Sequence, residues 1–315
     1  MTSKRGEAGA LARFIEHLSP GATLVRKRRL RGGLGADMHV VSIETAGGAR
    51  SRFVLRRYRP DNHLVSTPEH AEREYRTLGL LEGASVPAPK SLALDAEGRF
   101  FGVPALALCY LPGRSFPNRI EAGRLTQGLA EVLLRVHAIT PERFDLTWLP
   151  TYAPDELRKK LERRGEAAVA TEPLVRQIWA FLEAEEPRVG RQPLCLVHED
   201  FWPGNTVWYR GRLVGIVDWT MAEVGDPRVD VAQCRLDLTI SHGIEVADAF
   251  LDAYQRLAKA PVPEMRFFDL LYGIRALANY ETWLRGYHDA GLQHLTAAVA
   301  GDRLRAFLRR ALAES

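Results

Sequence analysis

The sequence has few cysteines and no long apolar segment. Three cysteines occur, Cys109, Cys195 and Cys234, and none belongs to a C-x-x-C pair, which argues against a disulfide framework or a zinc knuckle. The longest uncharged run, residues 100–113, contains two prolines and is shorter than the ~20 apolar residues of a membrane helix. The N-terminal segment lacks the apolar core of a signal peptide. We therefore expect a cytoplasmic protein with no membrane partner.

The charge is small in net terms but unevenly distributed. The net charge is +4, yet residues 1–113 contain 17 Lys and Arg against 11 Asp and Glu, whereas the remainder contains 26 against 28. A basic first third suits an anionic ligand such as a polyphosphate, although a general excess of arginine gives the same pattern. The run "RKRRLR" at residues 26–31 lies on a predicted strand without interleaved aromatic residues. We therefore expect a solvated strand face and no nucleic-acid partner.

Two regions follow one another along the chain. Residues 1–111 read as a helix, three short β-rich runs, a second helix and two further strands. Residues 112–315 read as long helices interrupted by a strand-like block at 194–219. The pattern predicts an α+β protein with a small antiparallel β N-lobe and a larger, mostly helical C-lobe. A cleft between such lobes is a preferred place for a small-molecule site.

One polar stretch, "LVHEDFWPGN" at residues 196–205, interrupts this block. The segments around Gly211 predict a hairpin, which would bring Asp218 back beside Asn205 and Asp200. Oxygen ligands from Asn and Asp suit Mg²⁺. An ordinary polar turn and a metallohydrolase site are the alternatives, but a metallohydrolase needs further His or Asp ligands at close spacing.

The same stretch carries a resemblance. An H-x-D-x-x-x-x-N pattern followed by a hairpin and an Asp resembles the catalytic loop and metal-binding aspartate of the protein-kinase-like fold. The form here, "HEDFWPGN … IVDW … GDPRVDVA", is similar to the aminoglycoside phosphotransferase family. The resemblance implies a bilobal protein-kinase-like fold. It also implies transfer of the γ-phosphoryl group of ATP or GTP, with Mg²⁺, to a hydroxyl of a small molecule.

The resemblance also assigns residues. It implies that Asp200 is the catalytic base and that Asn205 and Asp218 hold Mg²⁺. In "FVLR", Arg56 stands where the family pattern has Lys, and Glu74 is its helix partner. The positions implied for contacting the nucleotide are Arg56, Glu74, Gly33, Gly35, and the backbone at Cys109 and Leu111.

Supporting roles are expected for three neighbouring residues. His198 is expected to support the catalytic loop. Asp226 and Asp230 lie in "GDPRVDVA", where Gly-Asp-Pro ahead of a helix is a cap-and-turn signature. We therefore interpret both aspartates as structural, with Asp230 bracing the catalytic loop.

The acceptor is expected among residues that depart from the protein-kinase pattern. Glu199, Phe201 and Trp202 are such residues within the loop, and Trp202 is either an anchor or a lid. Glu281 falls within an apolar stripe of a C-terminal helix, where a buried carboxylate needs a partner. It is therefore expected either to pair with an arginine or to meet the acceptor, together with its neighbours Tyr280 and Trp283.

Relatives in this superfamily phosphorylate aminoglycosides, macrolides, choline, homoserine and other small alcohols. A nearly neutral second region makes a polycationic drug less favoured than a neutral or amphipathic antibiotic or metabolite. A monomer or homodimer is expected. The alternative function is a non-catalytic, nucleotide-binding regulatory protein of the same fold.

Overall fold

The computed structural model describes residues 4–30, 36–59, 67–116, 120–151 and 172–313. The chain forms two compact units. The first contains Met1–Gly113 and Val214–Met221, and the second contains Arg114–Leu213 and Ala222–Ser315. The short segment Val214–Met221 therefore belongs to the same unit as the N-terminal sheet.

The first unit is built on a five-stranded antiparallel sheet of order β1-β2-β3-β5-β4. Its strands are β1 Thr23–Arg29, β2 Ala36–Glu44, β3 Arg50–Tyr58, β4 Ser91–Asp95 and β5 Ala105–Cys109. Helix α1, Lys4–Leu18, contributes Phe14 and Ile15 to a core that also contains Phe53 and Leu55 of β3. Because side chains alternate along a strand, Val54, Arg56 and Tyr58 lie on the opposite face of the sheet.

Helix α2, Pro68–Gly83, supplies the second buried surface of this unit. Thr67 is the N-cap residue and Pro68 occupies the first turn, where the missing amide proton of proline has no consequence. The buried residues recur at helical spacing and are Ala71, Glu74, Thr77, Leu78 and Leu81. Glu74 is the only acidic member of this set, so the helix directs one carboxylate into the unit.

The second unit is mostly helical among its described residues. Its helices are α3 Ala122–His137, α4 Pro173–Glu185, α5 Arg228–His242, α6 Ile244–Ala258, α7 Met265–Asp289 and α8 Ala297–Ala313. Its short strands are β6 Arg114–Ser115, β7 Cys195–Val197, β8 Thr206–Tyr209 and β10 Glu223–Gly225. Strand β9, Arg212–Ile216, follows β8 after a turn and carries the chain into the first unit.

Two of these elements position the polar stretch at residues 196–205. Strand β7 pairs antiparallel with β10, with Val197 opposite Glu223, and ends directly before His198. Helix α5 is buried along almost its whole length, from Arg228 to Ser241. None of the described helices has the length and apolar character needed to cross a membrane. All three cysteines are free thiols.

Candidate active site

The loop after β7 is held by one carboxylate. Asp230, in the first turn of α5, is completely buried. Its Oδ2 accepts a hydrogen bond from the backbone N–H of His198 at 2.7 Å, and its Oδ1 accepts one from the N–H of Glu199 at 2.8 Å. Glu199 has a left-handed backbone conformation, with φ of +65°. The expected bracing role of Asp230 is therefore visible in its hydrogen bonds.

Asp200 and Asn205 meet within this loop. The side-chain amide of Asn205 donates to the backbone carbonyl of Asp200 at 2.9 Å and to its Oδ2 at 2.8 Å. The backbone N–H of Asp200 donates to Nδ1 of the buried His198 at 3.3 Å. His198 therefore supports the loop, as expected. Both of these bonds use the side-chain nitrogen of Asn205, so its side-chain oxygen takes no part in them.

The other loop residues point into the second unit. Glu199 is buried, and its Oε1 accepts a hydrogen bond from the Tyr272 hydroxyl at 3.1 Å. Phe201 is also buried. The expectation that these two residues meet the acceptor is therefore wrong, because both side chains are enclosed by the unit's own core.

The Trp202 ring is anchored by contacts with other aromatic rings. Its ring packs edge-on against Tyr287, with ring centroids 5.1 Å apart, and lies 6.1 Å from the Phe116 ring. Trp202 is half-buried. The Trp202 ring also covers Gly204, where a Cβ atom would lie 2.2 Å from it. The loop between Asp200 and Asn205 is thus fixed by aromatic packing as well as by hydrogen bonds.

In the first unit, Arg56 joins two carboxylates. It is only 4% exposed. Its Nη1 donates to Glu74 Oε1 at 3.3 Å, its Nε lies 3.2 Å from Glu74 Oε2, and its Nη2 donates to Asp218 Oδ1 at 2.6 Å. Burial acts to lower the pKa of Arg56, but the charges of Asp218 and Glu74 together raise it. The predicted pairing of Arg56 with Glu74 is present, and Asp218 is a further partner.

Glu74 has a partner that the sequence analysis missed. The Tyr58 hydroxyl donates to Glu74 Oε2 at 2.5 Å, and both side chains are buried. Burial raises the pKa of Glu74, whereas Arg56 and the Tyr58 hydrogen bond lower it, and burial dominates. The available signal was strand alternation, since Tyr58 lies two residues after Arg56 on the same face of β3.

Asp218 has a left-handed backbone, with φ of +69°, and its Oδ1 also accepts a hydrogen bond from Thr220 at 3.1 Å. It belongs to the first unit, whereas Asp200 and Asn205 belong to the second. The convergence of these three residues remains a prediction.

The structure describes only two of the four remaining residues that are predicted to contact the nucleotide. Gly33 and Gly35 lie outside the described residues. Cys109 ends β5, and its backbone N–H donates to the Lys90 carbonyl at 2.8 Å. That bond removes the Cys109 amide from the groups available to a nucleotide. Leu111 lies against Gly215, where a Cβ atom would be 2.3 Å from its side chain.

Residues 28–270 match the family model of APH, the phosphotransferase enzyme family. The chain belongs to this family. Among curated relatives, acyl-CoA dehydrogenase family member 10 of Mus musculus is 25% identical over 254 residues, which cover 75% of this chain and 23% of that protein. Homoserine kinase of Methylocella silvestris is 29% identical over 243 residues, which cover 71% of this chain and 67% of that protein. The chain thus spans about a quarter of the length of the mouse protein.

Solved structures extend the comparison to the fold. A thermostable mutant of aminoglycoside phosphotransferase APH(4)-Ia, in ternary complex with AMP-PNP and hygromycin B, matches with a TM-score of 0.65 at 18% identity. The match covers 97% of this chain and 100% of that chain. The predicted α+β, protein-kinase-like fold is therefore confirmed.

The predicted acceptor residues on α7 require one correction. Glu281 is exposed and accepts a hydrogen bond from the buried Tyr280 hydroxyl at 3.2 Å. The expectation of a buried carboxylate there is wrong, because the stripe leaves the core after Leu277. Trp283 is half-buried, with the Arg275 guanidinium 5.8 Å from its ring centre.

A buried aspartate behind Trp202 also escaped the sequence analysis. Asp237 of α5 accepts hydrogen bonds from the Tyr287 hydroxyl and from Gln233 Nε2, the latter at 2.5 Å. Burial raises the pKa of Asp237 to about 6, although both hydrogen bonds act to lower it. Because Tyr287 also packs against Trp202, this network stands directly behind the loop that contains Trp202.

Proposed function

We propose that this phosphotransferase transfers the γ-phosphoryl group of ATP or GTP to a hydroxyl of a small molecule, with Asp200 as the catalytic base. The observation that carries the proposal is the fixed orientation of Asp200. Its backbone carbonyl and one carboxylate oxygen accept hydrogen bonds from Asn205, while Asp230 holds the residues before it. A base that orients a hydroxyl has to be held in this way.

The role of Asp200 follows from the chemistry of phosphoryl transfer. The transition state spreads charge over the phosphoryl oxygens, so catalysis depends on positioning and electrostatic stabilisation. Asp200 accepts a hydrogen bond from the acceptor hydroxyl, orients its oxygen toward the phosphorus and receives its proton. The hydrogen bonds from Asn205 restrict rotation of the carboxylate during this step.

The residues present suit a magnesium ion. The Asn205 oxygen and the Asp218 carboxylate are hard ligands, and Mg²⁺ is typically bound by one or two such groups together with substrate phosphates. Among the residues that the structure describes, no three His, Cys, Asp or Glu side chains form a metal-holding group. Because of their ligand chemistry, we propose Asn205 and Asp218 as the protein ligands of the magnesium ion. The ion, when bound, neutralises phosphate charge.

Arg56 is the proposed contact for the nucleotide phosphates. Its guanidinium presents donors in a planar fork, and one arm is held by Glu74 while the other donates to Asp218. A phosphate oxygen can take the place of the Asp218 carboxylate at Nη2 without disturbing the Glu74 pair. This exchange would leave Asp218 to serve the cation.

The proposed acceptor is a neutral or amphipathic alcohol, either an antibiotic or a related metabolite. Residues 114–315 contain 26 Lys and Arg against 28 Asp and Glu, whereas a polycationic acceptor favours a strongly acidic surface. Homoserine kinase is one relative, and hygromycin B is bound in one similar structure. Trp202, Tyr280, Glu281 and Trp283 remain proposed acceptor contacts. We place the activity in the cytoplasm, since three free thiols suit a reducing compartment.

The test is a mass-spectrometric screen of hydroxylated acceptors with ATP or GTP and Mg²⁺, scored for addition of one phosphoryl group. Asp200→Ala should lower transfer by about 10²–10⁴-fold and leave nucleotide affinity within about twofold of the parent protein. Comparable transfer by that variant refutes the role of Asp200. Nucleotide binding without phosphorylation of any acceptor would instead favour a regulatory, non-catalytic protein.

A further inference from the structure

Tyr58 occupies an unusual place beside the Arg56–Glu74 pair. Its ring lies 5.1 Å from the Arg56 guanidinium carbon, and its hydroxyl donates to Glu74 Oε2 at 2.5 Å. The same Glu74 oxygen lies 3.2 Å from Arg56 Nε. Tyr58 is 1% exposed and Glu74 is equally buried, so water cannot substitute for this hydrogen bond.

We propose that Tyr58 is a positioning residue for nucleotide binding, which fixes the Glu74 carboxylate so that Glu74 in turn fixes Arg56. The inference rests on the proposed function, in which Arg56 contacts the phosphates. Burial raises the pKa of Tyr58 well above its usual value, so the hydroxyl keeps its proton and remains a donor. With that donor, Glu74 Oε2 is held between Tyr58 and Arg56, and the carboxylate cannot rotate away.

The hydrogen bond also favours the ionised form of Glu74, because it lowers the pKa of that carboxyl. Burial favours the neutral carboxyl, while Arg56 and Tyr58 favour the anion. The other groups facing Glu74 are Asp218, whose charge raises the pKa of Glu74, and the backbone N–H of Trp219, which lowers it. Removing the Tyr58 hydroxyl therefore shifts Glu74 toward protonation. A protonated Glu74 no longer attracts Arg56, which is then held by Asp218 alone.

The experiment uses Tyr58→Phe, with Tyr209→Phe as the matched control because Tyr209 lies at an exposed position of β8. Affinity for Mg·ATP is measured by calorimetry from pH 6 to pH 8. Tyr58→Phe should bind about tenfold more weakly, as expected for loss of a hydrogen bond to a charged group. KM for the acceptor should stay within about twofold of the value of the parent protein. Tyr209→Phe should bind Mg·ATP with the affinity of the parent protein at every pH. Comparison with this control therefore removes the effect of titration of the nucleotide itself.

A double-mutant cycle with Glu74→Gln separates positioning from general packing. If Tyr58 acts through Glu74, the effect of Tyr58→Phe on nucleotide affinity should nearly vanish in the Glu74→Gln background. An equal loss in both backgrounds overturns the proposal. If Glu74→Gln does not fold, the comparison of the two substrates decides, and an equal rise of KM for the nucleotide and for the acceptor in Tyr58→Phe overturns the proposal.

Urea unfolding without nucleotide gives a readout that is independent of the proposed function. Coupling of about tenfold or more in the unfolding equilibrium constant is expected between Tyr58 and Glu74. Absence of nucleotide binding by the parent protein refutes both the proposed function and the nucleotide role of Tyr58. Coupling between Tyr58 and Glu74 in the unfolding equilibrium would then still establish that Tyr58 positions the Glu74 carboxylate. Absence of that coupling overturns the contact itself.

Discussion

Replacement of Asp230 by asparagine should loosen the loop that follows β7 and lower the free energy of unfolding. Each carboxylate oxygen accepts one buried backbone N–H, from His198 at 2.7 Å and from Glu199 at 2.8 Å. Asparagine retains one acceptor oxygen and turns an amide N–H toward the other donor. One charge-assisted hydrogen bond is lost, which costs about 1.5–3 kcal/mol, and one buried donor is left unpaired, which costs roughly 1–3 kcal/mol.

These terms overlap, so Asp230→Asn should lower the free energy of unfolding by about 2–4 kcal/mol, and Asp230→Ala by about 4–6 kcal/mol. Urea unfolding at neutral pH measures both. The exposed Asp252 on α6 provides the matched control, since Asp252→Asn should change stability by less than about 0.5 kcal/mol. A loss below about 0.5 kcal/mol in Asp230→Asn would refute the reasoning.

The same variant should separate chemistry from nucleotide binding. Glu199 needs its left-handed conformation to carry the chain from β7 to Asp200, and Asp230 holds it there. When that bond is lost, Asp200 is less well oriented, so kcat should fall at least about tenfold. Arg56 and Glu74 belong to the other unit, so KM for the nucleotide should change less than about threefold. An unchanged kcat in a destabilised variant would show that the loop is held by other contacts.

Two further predictions concern pH and packing. The pKa of Asp237 is raised by folding from 3.8 to about 6, so its contribution to stability is complete below pH ~4 and is lost as the pH rises through 6. Between pH 4 and 7 the free energy of unfolding of the parent protein should therefore fall by up to roughly 3 kcal/mol more than that of Asp237→Asn. Chemical denaturation measures both, and an identical pH dependence of the two proteins would contradict this prediction. On α3, a Cβ atom at Gly128 would lie 2.7 Å from the Trp208 ring, which is held by a 2.8 Å hydrogen bond to Thr206. Gly128→Ala should destabilise the protein by about 1–3 kcal/mol. Gly79 lies in open space on α2, so Gly79→Ala should stabilise the protein by about 0.5–1 kcal/mol. A thermal unfolding series in which Gly128→Ala is also stabilised would contradict this prediction.

The parts of the site that follow from short-range rules were predictable from the sequence. The resemblance to the family pattern assigned Arg56 and its helix partner Glu74, and strand alternation agrees with the choice of Arg56, because Arg56 shares a face with Val54. Gly-Asp-Pro ahead of a helix identified Asp226 and Asp230 as structural, and the hydrogen bonds of Asp230 agree with that interpretation. Each of these inferences needs only a few neighbouring residues.

The failures arose where long-range packing decides the environment. The stripe on α7 is continuous in sequence, but Glu281 is exposed, because after Leu277 the buried face of the helix continues through Tyr280 and Tyr287 instead. Burial of Glu199 and its hydrogen bond to Tyr272 depend on residues 73 positions apart. The pairing of Asp237 with Tyr287 spans 50 positions. No local pattern carries such contacts.

The contacts of Arg56 in the first unit explain why an arginine stands at this position, where the family pattern has a lysine. A lysine ammonium is a compact charge, whereas the guanidinium fork offers separate donors to separate acceptors. Here Nε and Nη1 face Glu74, and Nη2 faces Asp218. The aromatic ring of Tyr58 lies beside the same guanidinium, which a flat, delocalised cation tolerates better than a strongly hydrated ammonium. Arg56 and Tyr58 are therefore matched to each other, and Arg56→Lys should lose more affinity for Mg·ATP in the presence of Tyr58 than in its absence.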